Sequence, residues 1–255
     1  MRAQQESQTD QGVKSASSLE AERGLEAYEM GDFENAIKYL KRATKKRKDD
    51  PTPWHFLGLA YARQGDEKEA HKAMGSAVRL RLRRLTPGAV ADSKKSYREW
   101  TTEEREAVRL RYAARYREAL ASVESYLQLN PPDADFWREQ ADSLKFYGQH
   151  SETPEATKTL FQSGDEGIVK AVVHSRPEPL YTEEARRNQA TGTIVLRCVA
   201  DAGGTVKHVL ALRLLPYGLT EKAIAVARGI KFTPATKDGR PVSQIIMLEY
   251  NFNVF

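Results

Sequence analysis

The sequence predicts an α+β protein of two modules, an all-α repeat solenoid followed by a small α-β-β-α-β domain with a three-stranded antiparallel sheet. Three observations carry this. From residue 19 to residue 149 apolar positions recur at helical spacing, with no convincing strand. Within that region one stretch repeats at an interval of 34 residues. Beyond residue 170 the period changes to alternation, the mark of strands with one buried face. The expected organisation is a disordered polar segment over 1–18, a helical repeat domain over 19–149, a linker over 150–170 and the mixed domain over 171–255.

The repeat is read from "GLEAYEMGDFENAIKYLKRAT", beginning at Gly24, and "GLAYARQGDEKEAHKAMGSAV", beginning at Gly58. Gly24 maps to Gly58, Gly31 to Gly65, Ala36 to Ala70 and Ala43 to Ala77. Small residues at Gly58 and Ala70 let two helices approach closely, and Gly65 with Asp66 breaks the chain between them. Each helix pair exposes an apolar side that a neighbouring pair must cover. These residues, with Trp54, Leu57 and Tyr61, resemble the tetratricopeptide repeat family. The resemblance implies a protein-docking groove lined by Tyr28, Glu29, His55, Arg63 and Arg138.

The pattern then weakens. "YREALASVESYLQLNPPDADFW" carries Ala119, Val123, Tyr126 and Pro131 at second-helix spacing, and "FWREQADSLKFYG" reads as a terminal capping helix closed by Gly148. Between the clear and the divergent copies lies a basic insertion, residues 81–101, where Arg81, Arg83, Arg84, Lys94, Lys95 and Arg98 face only Asp92 and Glu99. Thr101 and Glu104 are spaced as a capping box for the helix that follows. Aromatics interleave with the charge (Tyr97, Trp100, Tyr112, Tyr116), yet no DNA- or RNA-binding motif accompanies them. The expected arrangement is a solvated helix face with aromatics packed inward, and nucleic acid is not an expected partner.

The last module parses in order. "TEEARRNQ" is a short helix with Thr182 as N-cap. "GTIVLRCVA" and "TVKHVLALRLL" are strands joined by "DAGG", and "LTEKAIAVARG" is a helix with Leu219, Ala223 and Ala227 on one stripe. The turn "KDGRPV" precedes "IIMLEYNFNVF", in which Ile246, Leu248, Tyr250, Phe252 and Val254 alternate with Met247, Glu249, Asn251 and Asn253. A helix crossing from the second strand to the third puts the helices on one face of the sheet.

This stretch is similar to the C-terminal domain of TonB. Pro179 and Tyr181 stand in the family's Pro-x-Tyr-Pro element, with Thr182 in place of its second proline. Gly192 precedes the first strand, Gly204 and Val206 fit the hairpin, and Phe232-x-Pro234 follows the second helix. The resemblance implies a periplasmic or cell-envelope protein whose terminal strand accepts an extended peptide of a TonB-dependent outer-membrane receptor. The implied acceptor is Ile245 to Val254, with Ile245, Met247, Glu249, Asn251 and Asn253 alternating along it and Pro179 and Tyr181 nearby. Other envelope proteins are the expected partners of the repeats. The alternative function is a structural or assembly scaffold that forms a homodimer through the same strand, and the alternative location is the cytoplasm. Contact with a membrane is expected only through a segment outside this sequence, because no apolar run here is long enough to span one.

Composition sets outer limits. A net charge of +5 against 40 basic and 35 acidic residues permits acidic partners without demanding them. Cys198 is the single cysteine, in phase with Ile194 and Leu196, so a disulfide within the chain and a cysteine-based zinc site are excluded. The five histidines (His55, His71, His150, His174 and His208) form no ligand spacing, and no Walker or dinucleotide fingerprint occurs. Neither catalysis, a metal nor a cofactor is expected.

Overall fold

The computed structural model describes residues 19–86, 101–152, 159–162 and 165–253. The segment 1–18, most of the basic insertion (87–100), part of the linker, and Val254 lie outside the described residues. The chain groups into two units by contact: Met1–Arg81 with Ser122–Pro132, and Leu82–Ala121 with Asp133–Phe255. Residues 133–149, read from sequence as the end of the repeats, group with the sheet.

In the first unit α1 (residues 19–29) and α2 (Phe33–Lys46) form one hairpin, and α3 (Pro51–Arg63) and α4 (Glu67–Arg83) begin the next. The Asp32 carboxylate caps α2 by accepting from the Asn35 N–H at 3.1 Å, and Asp50 caps α3 through Thr52 at 3.1 Å. Gly31 and Gly65, at φ 77° and 78°, take the left-handed turn that ends each first helix. Ala36, Ile37, Leu40, Leu57, Ala60, Tyr61, Ala70 and Ala73 form the shared core. Gly58 is small out of necessity, since a Cβ there would sit 3.0 Å from the Met74 nitrogen and 3.2 Å from the Ala70 carbonyl oxygen.

The second unit is built on a sheet. β4 (Gly192–Ala200) lies between β5 (Val206–Arg213) and β8 (Arg240–Phe252), all antiparallel. Nine consecutive residues of β4, Gly192 to Ala200, pair with Phe252 to Gln244 of β8. β7 (Ala235–Lys237) folds back on the start of β8 through Asp238 and Gly239, both at positive φ, as a two-residue hairpin requires. The short strands β1 (Leu160–Phe161) and β2 (Ile168–Val169) join β8 and β7 respectively. β3 (Val172–Ser175) pairs with β6 (Lys231–Thr233) in a separate ribbon.

Helices α7 (Glu183–Arg187) and α8 (Leu219–Arg228) cover one face. Ala185, Leu219, Ala223 and Ala227 pack there on Ile194, Leu196, Cys198, Leu248, Tyr250 and Phe252. The Thr182 hydroxyl accepts from the Ala185 N–H at 3.0 Å, capping α7.

The other face departs from the expectation that helices occupy one side only. α5 (Thr102–Leu127), started by reciprocal bonds between Thr101 and Glu104, places Tyr112 and Tyr116 over Arg197 of β4. Val195, Val199, Leu210 and Leu212 on that side are also buried. A second difference concerns Gly148. α6 (Ala134–Glu152) continues through it rather than closing there, and its missing side chain lets the Tyr116 Cβ come within 3.4 Å of where a Cβ would stand.

Adding one methyl group separates two kinds of helical glycine. Gly58→Ala presses on main-chain atoms of α4 that cannot yield and should cost about 1–3 kcal/mol. Gly75→Ala meets only the flexible end of Arg79, at 3.4 Å, and should be neutral or stabilising by up to ~1 kcal/mol. Thermal melts of the two variants should therefore move in different directions.

Candidate functional site

A sheet has two edges, and unpaired main-chain groups on either invite another strand. In this protein the two edges are treated differently. Beyond β5 lies α6, whose polar side chains take the outward groups of the strand. Gln140 Oε1 accepts from the Ala211 N–H at 2.8 Å, and the Tyr147 hydroxyl donates to the His208 carbonyl at 2.9 Å. Gln140 Nε2 and the Ser143 hydroxyl also reach the Val209 carbonyl, both at 3.4 Å. The ladder between β4 and β5 shifts register between Arg197 and Val199, opposite His208, which has φ 47°. The His208 ring stacks on Phe146 at 3.6 Å. A helix and a bulge thus close this edge.

Tyr147 has a further role. With Tyr112 and Tyr116 it encloses the Arg197 guanidinium at 5.4–5.9 Å from the ring centroids. Arg197 also donates to the Tyr116 hydroxyl. Burial pushes the phenols of Tyr116 and Tyr147 up, with the Arg197 charge opposing it. A cation held over π faces in a desolvated place ties α5 and α6 to β4.

The edge beyond β8 is different. Direct pairing there stops early: β1 meets Ser243 and Gln244, and β7 meets Arg240 to Val242. From Ile245 to Phe252 no strand pairs with the outer side of β8 among the described residues. In an antiparallel ladder alternate residues turn their N–H and C=O away from the partner strand. The Arg176 guanidinium donates to the Glu249 carbonyl, which marks Glu249 as outward-facing. By alternation Ile245, Met247 and Asn251 share that orientation.

Of the residues that sequence reading placed at this edge, Ile245, Met247, Glu249 and Asn251 share one face of β8, and Asn253 lies just past its end. Ile245 and Met247 are partly buried, whereas Glu249, Asn251 and Asn253 are exposed. Asn251 Oδ1 accepts from the Thr193 hydroxyl at 2.7 Å across the ladder. Tyr181 stands against the far end of the strand, its ring edge-on to Phe252 at 5.3 Å and its hydroxyl donating to the Ala190 carbonyl at 2.7 Å. Pro179 is partly buried two residues before it.

The repeat residues fall as follows. Tyr28 of α1 meets Phe56 of α3 edge-on at 5.5 Å, and Phe56 meets His55 the same way at 5.5 Å. Glu29 and Arg63 are exposed near the ends of α1 and α3. Arg138 lies on α6 in the other unit, ion-paired with Asp135. Burial, with the Arg81 charge adding to it, pushes the His55 imidazole from 6.5 down to about 4.

Residues 177–254 match the family model described as Gram-negative bacterial TonB protein C-terminal. The final third of the chain is a TonB-like domain. Residues 24–65 match the TPR repeat model, so helical repeats precede it. Both are families of non-enzymatic interaction modules. No curated protein matched the chain.

Among the described residues no helix is long and apolar enough to cross a membrane, and no three His, Cys, Asp or Glu side chains gather as metal ligands. Burial pushes the Cys198 thiol up to about 12, which removes it as a nucleophile near neutral pH.

Sequence reading missed Arg176, Gln140, Tyr147 and Arg197. A signal for Arg197 existed, because "TIVLRCVA" is apolar on both sides of the arginine, as in strands buried on two faces. Arg176 sits in irregular chain, where periodicity has nothing to report.

Two measurements check this account. Between pH 6.5 and about 4 the unfolded chain protonates His55 while the folded one does not. His55 therefore contributes its full stability above pH 6.5 and loses it as pH falls toward 4. An NMR titration of the His55 ring should show a midpoint near 4. At the closed edge, Gln140→Leu leaves the Ala211 N–H without its acceptor and should cost about 1–3 kcal/mol in denaturant unfolding.

Proposed function

We propose that this protein is a cell-envelope adaptor whose TonB-like domain accepts an extended segment of an outer-membrane receptor along the outer side of β8. Main-chain bonds from Ile245, Met247, Glu249 and Asn251 provide the affinity in this reading, and alternate side chains provide selectivity. The observation that carries it is the contrast between the edges. α6 closes the β5 edge, whereas β8 has no strand partner from Ile245 to Phe252 among the described residues. The family match over 177–254 supports the compartment and the class of partner. The face of α1 and α3 that carries Tyr28, Glu29, His55 and Arg63 docks a second protein, consistent with the repeat family.

Deleting the strand is no clean test, because Leu248, Tyr250 and Phe252 belong to the core. Met247→Pro is better. It removes one outward N–H and leaves the donors facing β4 in place, a substitution that edge strands tolerate. Fluorescence anisotropy with labelled peptides copied from the periplasm-facing ends of TonB-dependent receptors should show affinity falling at least ~10-fold, at a melting temperature within a few degrees of wild type. Unchanged peptide affinity would remove the reading. So would a concentration-dependent dimer in sedimentation that Met247→Pro dissolves while peptide binding is absent, since the edge would then serve a second copy.

A further inference from the structure

The acceptor edge is unpaired, yet it is not bare. Residues 171–176 run beside it in the same direction as β8. The Ala171 N–H donates to Gln244 Oε1 at 3.0 Å, and Arg176 donates to the Glu249 carbonyl. The two ties are five residues apart on both segments, and residues 172–175 and 244–249 are both extended. Extended chains advance by the same ~3.3 Å per residue, so the segments keep step between the ties. Arg176 also lies over the Tyr250 ring at 4.7 Å.

The ties differ in kind from those of a sheet. Both use a side chain on one partner, so the backbones are held apart and no ladder forms. The covering segment pairs instead with β6, over three residue pairs whose register shifts between Val173 and Ser175. All four residues of β3 are exposed, among them Val172 at 54% and Val173 at 41%. Gln244 is 2% exposed, and its Nε2 has no acceptor among the described residues. The segment thus occupies the edge while leaving a buried donor unsatisfied and its own apolar side chains in solvent.

Resting on the reading of β8 as an acceptor, we propose that residues 171–176 are a displaceable strap over that edge, with Arg176 as its latch. An incoming strand takes the Glu249 carbonyl from Arg176 and supplies a main-chain donor where the strap supplies a side chain. The strap holds part of the population closed, and apparent affinity falls in proportion to the fraction closed. Arg176 is exposed, so its replacement leaves the core intact.

The test uses the full chain. Arg176→Ala should tighten binding of the labelled receptor-derived peptides by about 3- to 10-fold, chiefly through a faster on-rate, and Arg176→Lys should lie between Arg176→Ala and wild type. Weaker or unchanged binding in Arg176→Ala overturns the strap. A second measurement needs no peptide. Amide hydrogen exchange over 171–176 should accelerate about 10-fold or more in Arg176→Ala while β4 and α8 keep their rates. Unaltered exchange there also overturns the strap. If no variant binds any peptide, the acceptor reading fails, and the exchange result still decides whether Arg176 fastens the segment.

Discussion

The ladder between β4 and β8 is the constraint from which the rest of the sheet domain follows. Its nine consecutive pairs fix which side of every β8 residue faces inward. A slip of one residue would carry Leu248, Tyr250 and Phe252 out of the core and bring Glu249 and Asn251 into it, so the register is strongly specified. The same register decides which amides and carbonyls of β8 look away from β4. One set of bonds therefore builds the core and decides which main-chain groups line the outer side of β8.

The two borders of the sheet show how a protein can close one side and keep the other accessible. At β5 the cover is a long helix that offers an amide, a hydroxyl and a phenol to the strand's main chain, reinforced by the Phe146–His208 stack. These bonds lie in a largely buried layer, with Gln140 at 0% and Ser143 at 5% exposure, where an unmade bond is expensive. At β8 the cover is an extended segment whose residues are mostly exposed, so water can replace its contacts at little cost.

Much of the fold was legible in the sequence because its determinants are local. The 34-residue interval located the helical hairpins, and a close approach at Gly58 gives the physical reason. Alternation assigned Leu248, Tyr250 and Phe252 to the core, and the turn residues of "DAGG" and "KDGR" placed both hairpins. The contribution of α5 and α6 to the sheet was not legible. Gln140, Ser143 and Tyr147 fit a helical pattern, but nothing in a helical pattern says that the surface beneath is the edge of a strand about 60 to 70 residues further along the chain. Arg176 was hidden for a related reason, since its target is a carbonyl and any residue supplies one.

The Arg197 enclosure bears on where this molecule can be cut. The stretch that matches the TonB C-terminal model begins at Pro177, yet the rings that shield Arg197 come from Tyr112, Tyr116 and Tyr147, well upstream. A fragment trimmed to the matched stretch would lay Val195, Val199, Leu210 and Leu212 open to solvent and strip a strand of its helical border. The border of the matched stretch at Pro177 is therefore not the border of the compact unit, which also takes in helical segments far upstream of it.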